Sequence, residues 1–135
     1  MATKNIKQWT VLSCSPETAY KAWMDSKKHG EMIDGSAKID PKVGGAFSIW
    51  DGAVKGKTIE LDPKKHRIIQ EWRYEYEDWP QDQPSKIIIE FVPHENGCKL
   101  RFWQSKVPEK YASDIAQGWK DYYWKSMQEY FKRSE

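Results

Sequence analysis

Residues 111–132 constrain this chain more than any other stretch. Ile115, Trp119, Tyr122, Tyr123, Met127 and Tyr130 recur at helical spacing, with Lys120, Asp121, Lys125, Gln128 and Lys132 largely between them. The spacing predicts one long amphipathic helix with an apolar, mostly aromatic stripe. No proline interrupts it. Ser113 and Asp114 are suitable caps near its start, and Lys132 and Arg133 complement the negative end of the helix dipole. At about 1.5 Å per residue the helix is about 30 Å long, enough to cross a small domain. So aromatic a stripe needs a large apolar partner, and only a sheet built from the preceding residues can supply one. Gly118 lies inside the helix, where glycine costs about 1 kcal/mol relative to alanine. It either permits close approach of helix to strand or leaves room for a ligand beside Trp119.

The preceding residues carry the strand signals. Residues 6–13 are rich in β-branched and aromatic side chains without Gly or Pro, a first strand. Ser15-Pro16-Glu17 starts a helix, with serine as cap, proline in the first turn and glutamate at the positive end. Ala19, Tyr20 and Trp23 are its buried side. After Asp25-Ser26, residues 27–32 read as a second short helix. From Gly35 the period changes to two. Strands are predicted at 37–39, 46–50, 55–61, 67–76, 85–92 and 99–104, and Asp51-Gly52 is the strongest hairpin signal. Residues 78–84 form a loop, in which Trp79 is either an exposed ring or packed on the neighbouring strand end. The order is strand, two helices, about six antiparallel strands, long helix. That is an α+β arrangement in which one face of the sheet takes the helix, within a single domain spanning 1–135.

Eight Trp, seven Tyr and four Phe must dominate the core of so polar a chain. A net charge of +2 with mixed signs argues against a nucleic-acid partner. No apolar run is long enough to span a bilayer and residues 1–7 are polar, so no membrane span and a cytoplasmic location are expected. Cys14 and Cys98 are expected to be inert thiols rather than a disulfide framework. His29, His66 and His94 lie apart, with no cysteine or carboxylate at metal spacing, and Gly44-Gly45 leads into a strand rather than a helix. No metal and no cofactor are expected. Glu60 and Glu71 are the carboxylates to consider for acid–base chemistry, and no catalytic residue is assigned.

Alternation places Phe47, Ile49, Ile68, Gln70, Trp72, Tyr74, Ile87, Ile89, Phe91, Leu100, Phe102 and Gln104 on the face toward the helix. Lys86, Glu90, Lys99 and Arg101 face water. Gln70 and Gln104 are the informative members. Either they hydrogen-bond within the core, or they orient a ligand in a pocket, where the Tyr74 and Tyr123 hydroxyls could join them.

An ordered series of residues carries a family resemblance: Gly44-Gly45-x-Phe47, Gly56 with Glu60, Pro63 before Ile68 and Ile69, Trp72, and Gly118-Trp119. It resembles the activator of heat shock protein 90 ATPase homologue family, within the START-like (SRPBCC) superfamily. The resemblance covers nearly the whole chain. It implies a helix-grip fold, a curved antiparallel sheet wrapped around a long C-terminal helix, with an apolar cavity between them and two short helices closing one end. The cavity candidates are Phe47, Ile49, Gln70, Trp72, Tyr74, Ile89, Phe91, Phe102, Gln104, Ile115, Gly118, Trp119 and Tyr123. In full-length eukaryotic activators this fold is the C-terminal half, and a separate N-terminal domain, for which this chain has no room, supplies much of the ATPase stimulation. Three functions are therefore expected to compete. The first is binding of a small apolar or aromatic ligand. The second is docking on a heat shock protein 90 type chaperone. The third is catalysis of the kind seen in polyketide cyclases of the superfamily.

Overall fold

The computed structural model describes residues 2–76, 78–79 and 83–133. Strand β1 (Thr3–Leu12) is followed by helices α1 (Pro16–Met24) and α2 (Ser26–Ile33). Six strands come next: β2 (Ala37–Ile39), β3 (Ala46–Ile49), β4 (Val54–Asp62), β5 (Arg67–Tyr74), β6 (Ser85–His94) and β7 (Gly97–Pro108). The chain ends in α3 (Glu109–Gly118), a π-helical segment (Trp119–Trp124) and α4 (Lys125–Arg133), which run on without a break. The strands form one antiparallel sheet in the order β1-β7-β6-β5-β4-β3-β2. Each strand from β2 to β7 pairs with its chain neighbour, and α1 and α2 carry the chain from one edge to the other. Register shifts at Lys4/Ile6 in β1 and Thr58/Glu60 in β4 bend the sheet where its curvature needs it.

Local chemistry explains the boundaries. Ser15 Oγ accepts from Thr18 N at 3.1 Å, with Pro16 at the first helical position. Asp25 ends α1 and caps α2, its carboxylate accepting from Lys28 N at 2.8 Å. Strands β6 and β7 run further than the 85–92 and 99–104 of the sequence reading. Pro93 pairs with Cys98 and His94 with Gly97, leaving only Glu95 and Asn96 as the turn. Trp79 is buried, its ring 5.1 Å from Tyr74 and stacked on Tyr111. Of the 78–84 loop, residues 80–82 lie outside the described residues. Cys14 and Cys98 form no disulfide, and the Cys14 side chain hydrogen-bonds Cys98, which lowers the Cys98 thiol pKa.

The long helix departs from its sequence reading in two ways. It begins at Glu109, directly after Pro108, so Ser113 and Asp114 lie inside α3 and cap nothing. Its stripe is also rotated. Trp124 and Phe131 are buried, whereas Tyr122 is 62% exposed. The cause is the π segment, in which the Lys125 N–H reaches back five residues to Lys120 O. The wider turn brings residues i and i+5 into register, and the Trp119 and Trp124 rings stack at 5.2 Å and 16°.

The core is a layer of rings between sheet and helix. All the inward-facing strand residues of the sequence reading are buried except Tyr74, which is half-buried. Four buried indole N–H groups have a glutamine side chain as acceptor, and that of Trp79 donates to the Gln83 backbone carbonyl at 3.3 Å. Trp23 and Trp72 both donate to Gln70 Oε1 at 3.1 Å, Trp119 to Gln104 Oε1 at 2.8 Å and Trp124 to Gln8 Oε1 at 2.6 Å. The amide ends are used too. Gln70 donates to Thr58 Oγ1 at 3.1 Å, Gln104 to Ser85 Oγ at 3.0 Å, and Gln8 to Ala116 O at 2.9 Å, which ties β1 to α3.

Beneath this layer His29 is buried between α1 and the helix. Its Nδ1 lies 2.7 Å from Trp23 O and its Nε2 2.8 Å from the Tyr123 hydroxyl. A carbonyl only accepts, so Nδ1 carries the proton and Nε2 accepts from Tyr123. Burial lowers the His29 pKa to about 4.

Two outcomes are expected. Trp119→Phe keeps a ring against Phe102 and Trp72 but orphans Gln104 Oε1, a loss of about 1–3 kcal/mol, and Trp119→Ala adds a cavity for about 3–5 kcal/mol in all. Chemical denaturation checks both, and a loss under about 1 kcal/mol for the alanine variant contradicts the packing. The second concerns pH. Unfolded His29 binds a proton near pH 6.5 and folded His29 only near pH 4. In that window the unfolded chain holds more protons, so the stabilisation is complete above the upper value and is lost as pH falls. Between pH 6.5 and about 5 the wild type is expected to lose about 1–2 kcal/mol in urea titrations. His29→Gln starts from lower stability and lacks this slope.

Candidate functional site

One cavity of about 200 Å³ lies between the long helix and the β3–β4–β5 end of the sheet. Strands β4 and β5 contribute Val54, Trp72 and Tyr74, and Tyr76 continues the wall beyond β5. The β3–β4 turn contributes Trp50 and Ala53. The helix contributes Asp114, Ile115, Gly118, Trp119, Tyr122 and Tyr123.

The cavity owes part of its space to a side chain that is missing from the helix. Gly118 is the position where one would project. A Cβ built there would meet only Tyr122 Cδ2, at 3.7 Å, which is ordinary contact. Gly118 has helical backbone angles, φ −60° and ψ −39°, so no strain demands glycine. No strand approaches closely enough to require it either. Of the two sequence readings of Gly118, the geometry matches space beside Trp119.

Trp50 forms the opposite wall in an unusual conformation. Its φ of 52° lies in the left-handed region, followed by Asp51 at 56° and Gly52 at 96°. A bulky residue there is strained by about 1–2 kcal/mol, and such strain persists only where the surroundings impose it. Ser36 imposes it here. Its carbonyl accepts from Trp50 N at 3.0 Å and its hydroxyl from Asp51 N at 2.8 Å. The indole lies across Gly35, where an added Cβ would come within 2.6 Å of Trp50 Nε1. Glycine at 35 is thus a packing requirement.

The polar groups deep in the site are committed. The Tyr74 hydroxyl takes a hydrogen bond from Gln104 Nε2 at 3.4 Å, and the Tyr123 hydroxyl donates to His29. Burial raises both phenol pKa values well above the usual one, so both stay neutral. At the mouth stand Tyr76, Tyr122 and Asp114, all exposed. Burial, and then the Asp114 charge, raise the Tyr76 phenol pKa. Glu60 is exposed and Glu71 lies on the outer sheet face, both away from the cavity. Among the described residues no group of three or more His, Cys, Asp or Glu could hold a metal ion.

Of the thirteen cavity candidates from sequence, Trp72, Tyr74, Ile115, Gly118, Trp119 and Tyr123 line the cavity. The other seven do not. Phe47, Ile49, Ile89, Phe91 and Phe102 are packed as solid core, Phe47 over Gly56 and against Trp72 at 5.5 Å, and Phe102 against Trp119 at 4.4 Å. Gln70 and Gln104 stand behind the cavity, accepting from the indole N–H groups of the lining residues Trp72 and Trp119, and Gln104 also donates to the Tyr74 hydroxyl. The sequence reading missed Trp50, Ala53, Val54, Tyr76, Asp114 and Tyr122. The Asp51-Gly52 hairpin signal was the one clue to the first three.

Comparison with known proteins places this geometry. A curated relative, the human activator of 90 kDa heat shock protein ATPase homolog 1, is 26% identical over 117 residues, covering 87% of this chain and 34% of that protein. The chain thus spans about a third of the length of the curated relatives it matches. The crystal structure of an HSP90 activator from Plasmodium falciparum superposes with a TM-score of 0.75 at 26% identity, covering 91% of each chain. A Mesorhizobium loti protein superposes with a TM-score of 0.83 at 20% identity over 98% of this chain and 99% of that one, a likeness of fold. The helix-grip fold expected from the sequence is therefore shown. The family model described as activator of Hsp90 ATPase homolog 1-like protein matches residues 13–132, and the chain belongs to that family.

Proposed function

We propose that this domain binds a small apolar or aromatic molecule between its sheet and its long helix. The observation that carries the reading is the ring-lined cavity beside Gly118. Its volume of about 200 Å³ exceeds the roughly 150 Å³ that suffices for a benzene, so it suits a ligand of one substituted ring. The walls are pinned in place by Ser36 and Gly35 on one side and by the indole–glutamine bonds on the other. Binding therefore needs little reorganisation, which favours affinity. The test is calorimetric titration with one-ring aromatic probes. A dissociation constant on the order of 0.1 mM is expected for the best of them, weakened at least about tenfold in Gly118→Leu, whose side chain projects into the cavity. Circular dichroism confirms that the variant is folded. Saturable binding by no aromatic probe of this size, or unchanged binding in the folded leucine variant, overturns the reading.

A second reading rests on the family. The human and Plasmodium relatives are named for activation of a heat shock protein 90 ATPase, which supports docking of this domain on a chaperone of that type. Because the chain corresponds to about a third of the human protein, the activity of the whole is not carried over to it. Saturating amounts of the chain are expected to bind such a chaperone and change its ATPase rate. An unchanged rate together with no detectable binding contradicts this reading and leaves the cavity reading intact.

A further inference from the structure

We propose that the cavity selects an organic cation, a substituted ammonium group carried on a small apolar body, with the Asp114 carboxylate at the mouth as its counter-charge. This rests on the ligand-binding reading above and names the chemical class that the site would take. The cavity has rings on several sides. Trp50 meets Tyr122 at 75° and Tyr123 at 76°, and Trp72 meets Trp119 at 49°. Rings at such angles do not form a flat slot. They set π systems around a bound group from several directions, and each ring face turned inward attracts an ammonium.

Charge supplies the second argument. Among the described residues Asp114 is the only acidic or basic side chain lining the cavity, and no Lys, Arg or His joins it. An anion would meet ring faces and a carboxylate, both repulsive. A neutral apolar ligand would gain burial and leave the carboxylate unused. The third argument is that Asp114 has no cation among the described residues. Lys110, one turn earlier, is held by Asp78, the residue one turn later is Gly118, and Gln117 is turned to Asp121 at 3.0 Å. Among the described residues no ion pair involves Asp114. Its charge nonetheless reaches the rim, where it helps to raise the Tyr76 phenol. A carboxylate left unpaired beside seven rings matches one ligand chemistry better than any other.

The test uses two probes of one shape, phenyltrimethylammonium and its neutral isostere tert-butylbenzene, titrated into wild type and Asp114→Asn. Asp114 is exposed, so the variant should fold, and its thermal midpoint verifies that. The cation is expected to saturate the wild type and to weaken about fivefold in Asp114→Asn, while any binding of the isostere changes by less than about twofold. Raising salt from about 0.05 M to about 0.5 M should weaken the cation alone, because only its attraction is screened. If tert-butylbenzene binds and the cation does not, or if Asp114→Asn weakens both equally or neither, the cation inference is overturned and the cavity reading stands. If neither probe binds the wild type, both fall together.

Discussion

The need to bury indoles without stranding their N–H groups shapes this domain more than any other constraint. Trp23, Trp72, Trp119 and Trp124 are all removed from water, and each N–H left unpaired would cost about 1–3 kcal/mol. Three glutamines on strands meet the need. Gln70 serves two indoles, one from α1 and one from its own strand, so it locks α1 to β5. Gln104 locks the π segment to β7, and Gln8 locks the same segment to β1. Each glutamine amide then finds its own acceptor, so the network closes on itself. A fully satisfied polar network of this kind holds one arrangement of helix on sheet, because any slide of the helix breaks several bonds at once.

The π segment follows from the same constraint. Trp119 and Trp124 are five residues apart, and both glutamine acceptors lie on the sheet face. A regular α-helix would turn Trp124 about 140° away from Trp119, off the sheet. One wider turn returns it. This explains why sequence periodicity found Trp119, Tyr123 and Met127 but set Tyr122 and Tyr130 in the stripe where Trp124 and Phe131 belong. A fixed period of 3.6 cannot register an inserted residue. The elements that hydrogen-bonding chemistry specifies locally were legible: the Ser15-Pro16 helix start, the 37–39 strand, and the two-residue alternation of β5. So was the family, from an ordered series of glycines and aromatics spread over most of the chain.

The cavity was only half legible, for a physical reason. Alternation tells which side chains face inward, but not where inward-facing side chains fail to touch. Phe91 and Phe102 sit where sheet and helix are close, so they fill space. Trp72 and Tyr74 sit on the same face where Gly118 withholds a side chain, so they border space. Trp50 was hidden because its ring is aimed by a left-handed backbone that Ser36 and Gly35 impose, a long-range effect with no local signature. Asp114 was hidden because it looked like a cap. Only the helix start at Glu109 moves it to the mouth of the cavity.

What the cavity can do depends on which atoms remain uncommitted. Tyr74 and Tyr123 are held neutral, and both ring nitrogens of His29 are bonded. The deep walls therefore offer apolar contact and ring faces rather than a group poised to exchange protons. Tyr123 joins the two halves of the problem. Its ring lines the cavity, and its hydroxyl bonds His29 behind the wall. A ligand at a hundredfold excess over its dissociation constant would stabilise the fold by about 2.7 kcal/mol, opposite in sign to what acid removes through His29. Protonation of His29 turns its Nε2 into a donor and deprives the Tyr123 hydroxyl of its acceptor. The side chain that would feel the ligand thus shares its hydrogen bond with His29, and at low pH that bond reverses, the phenol oxygen accepting from the imidazolium.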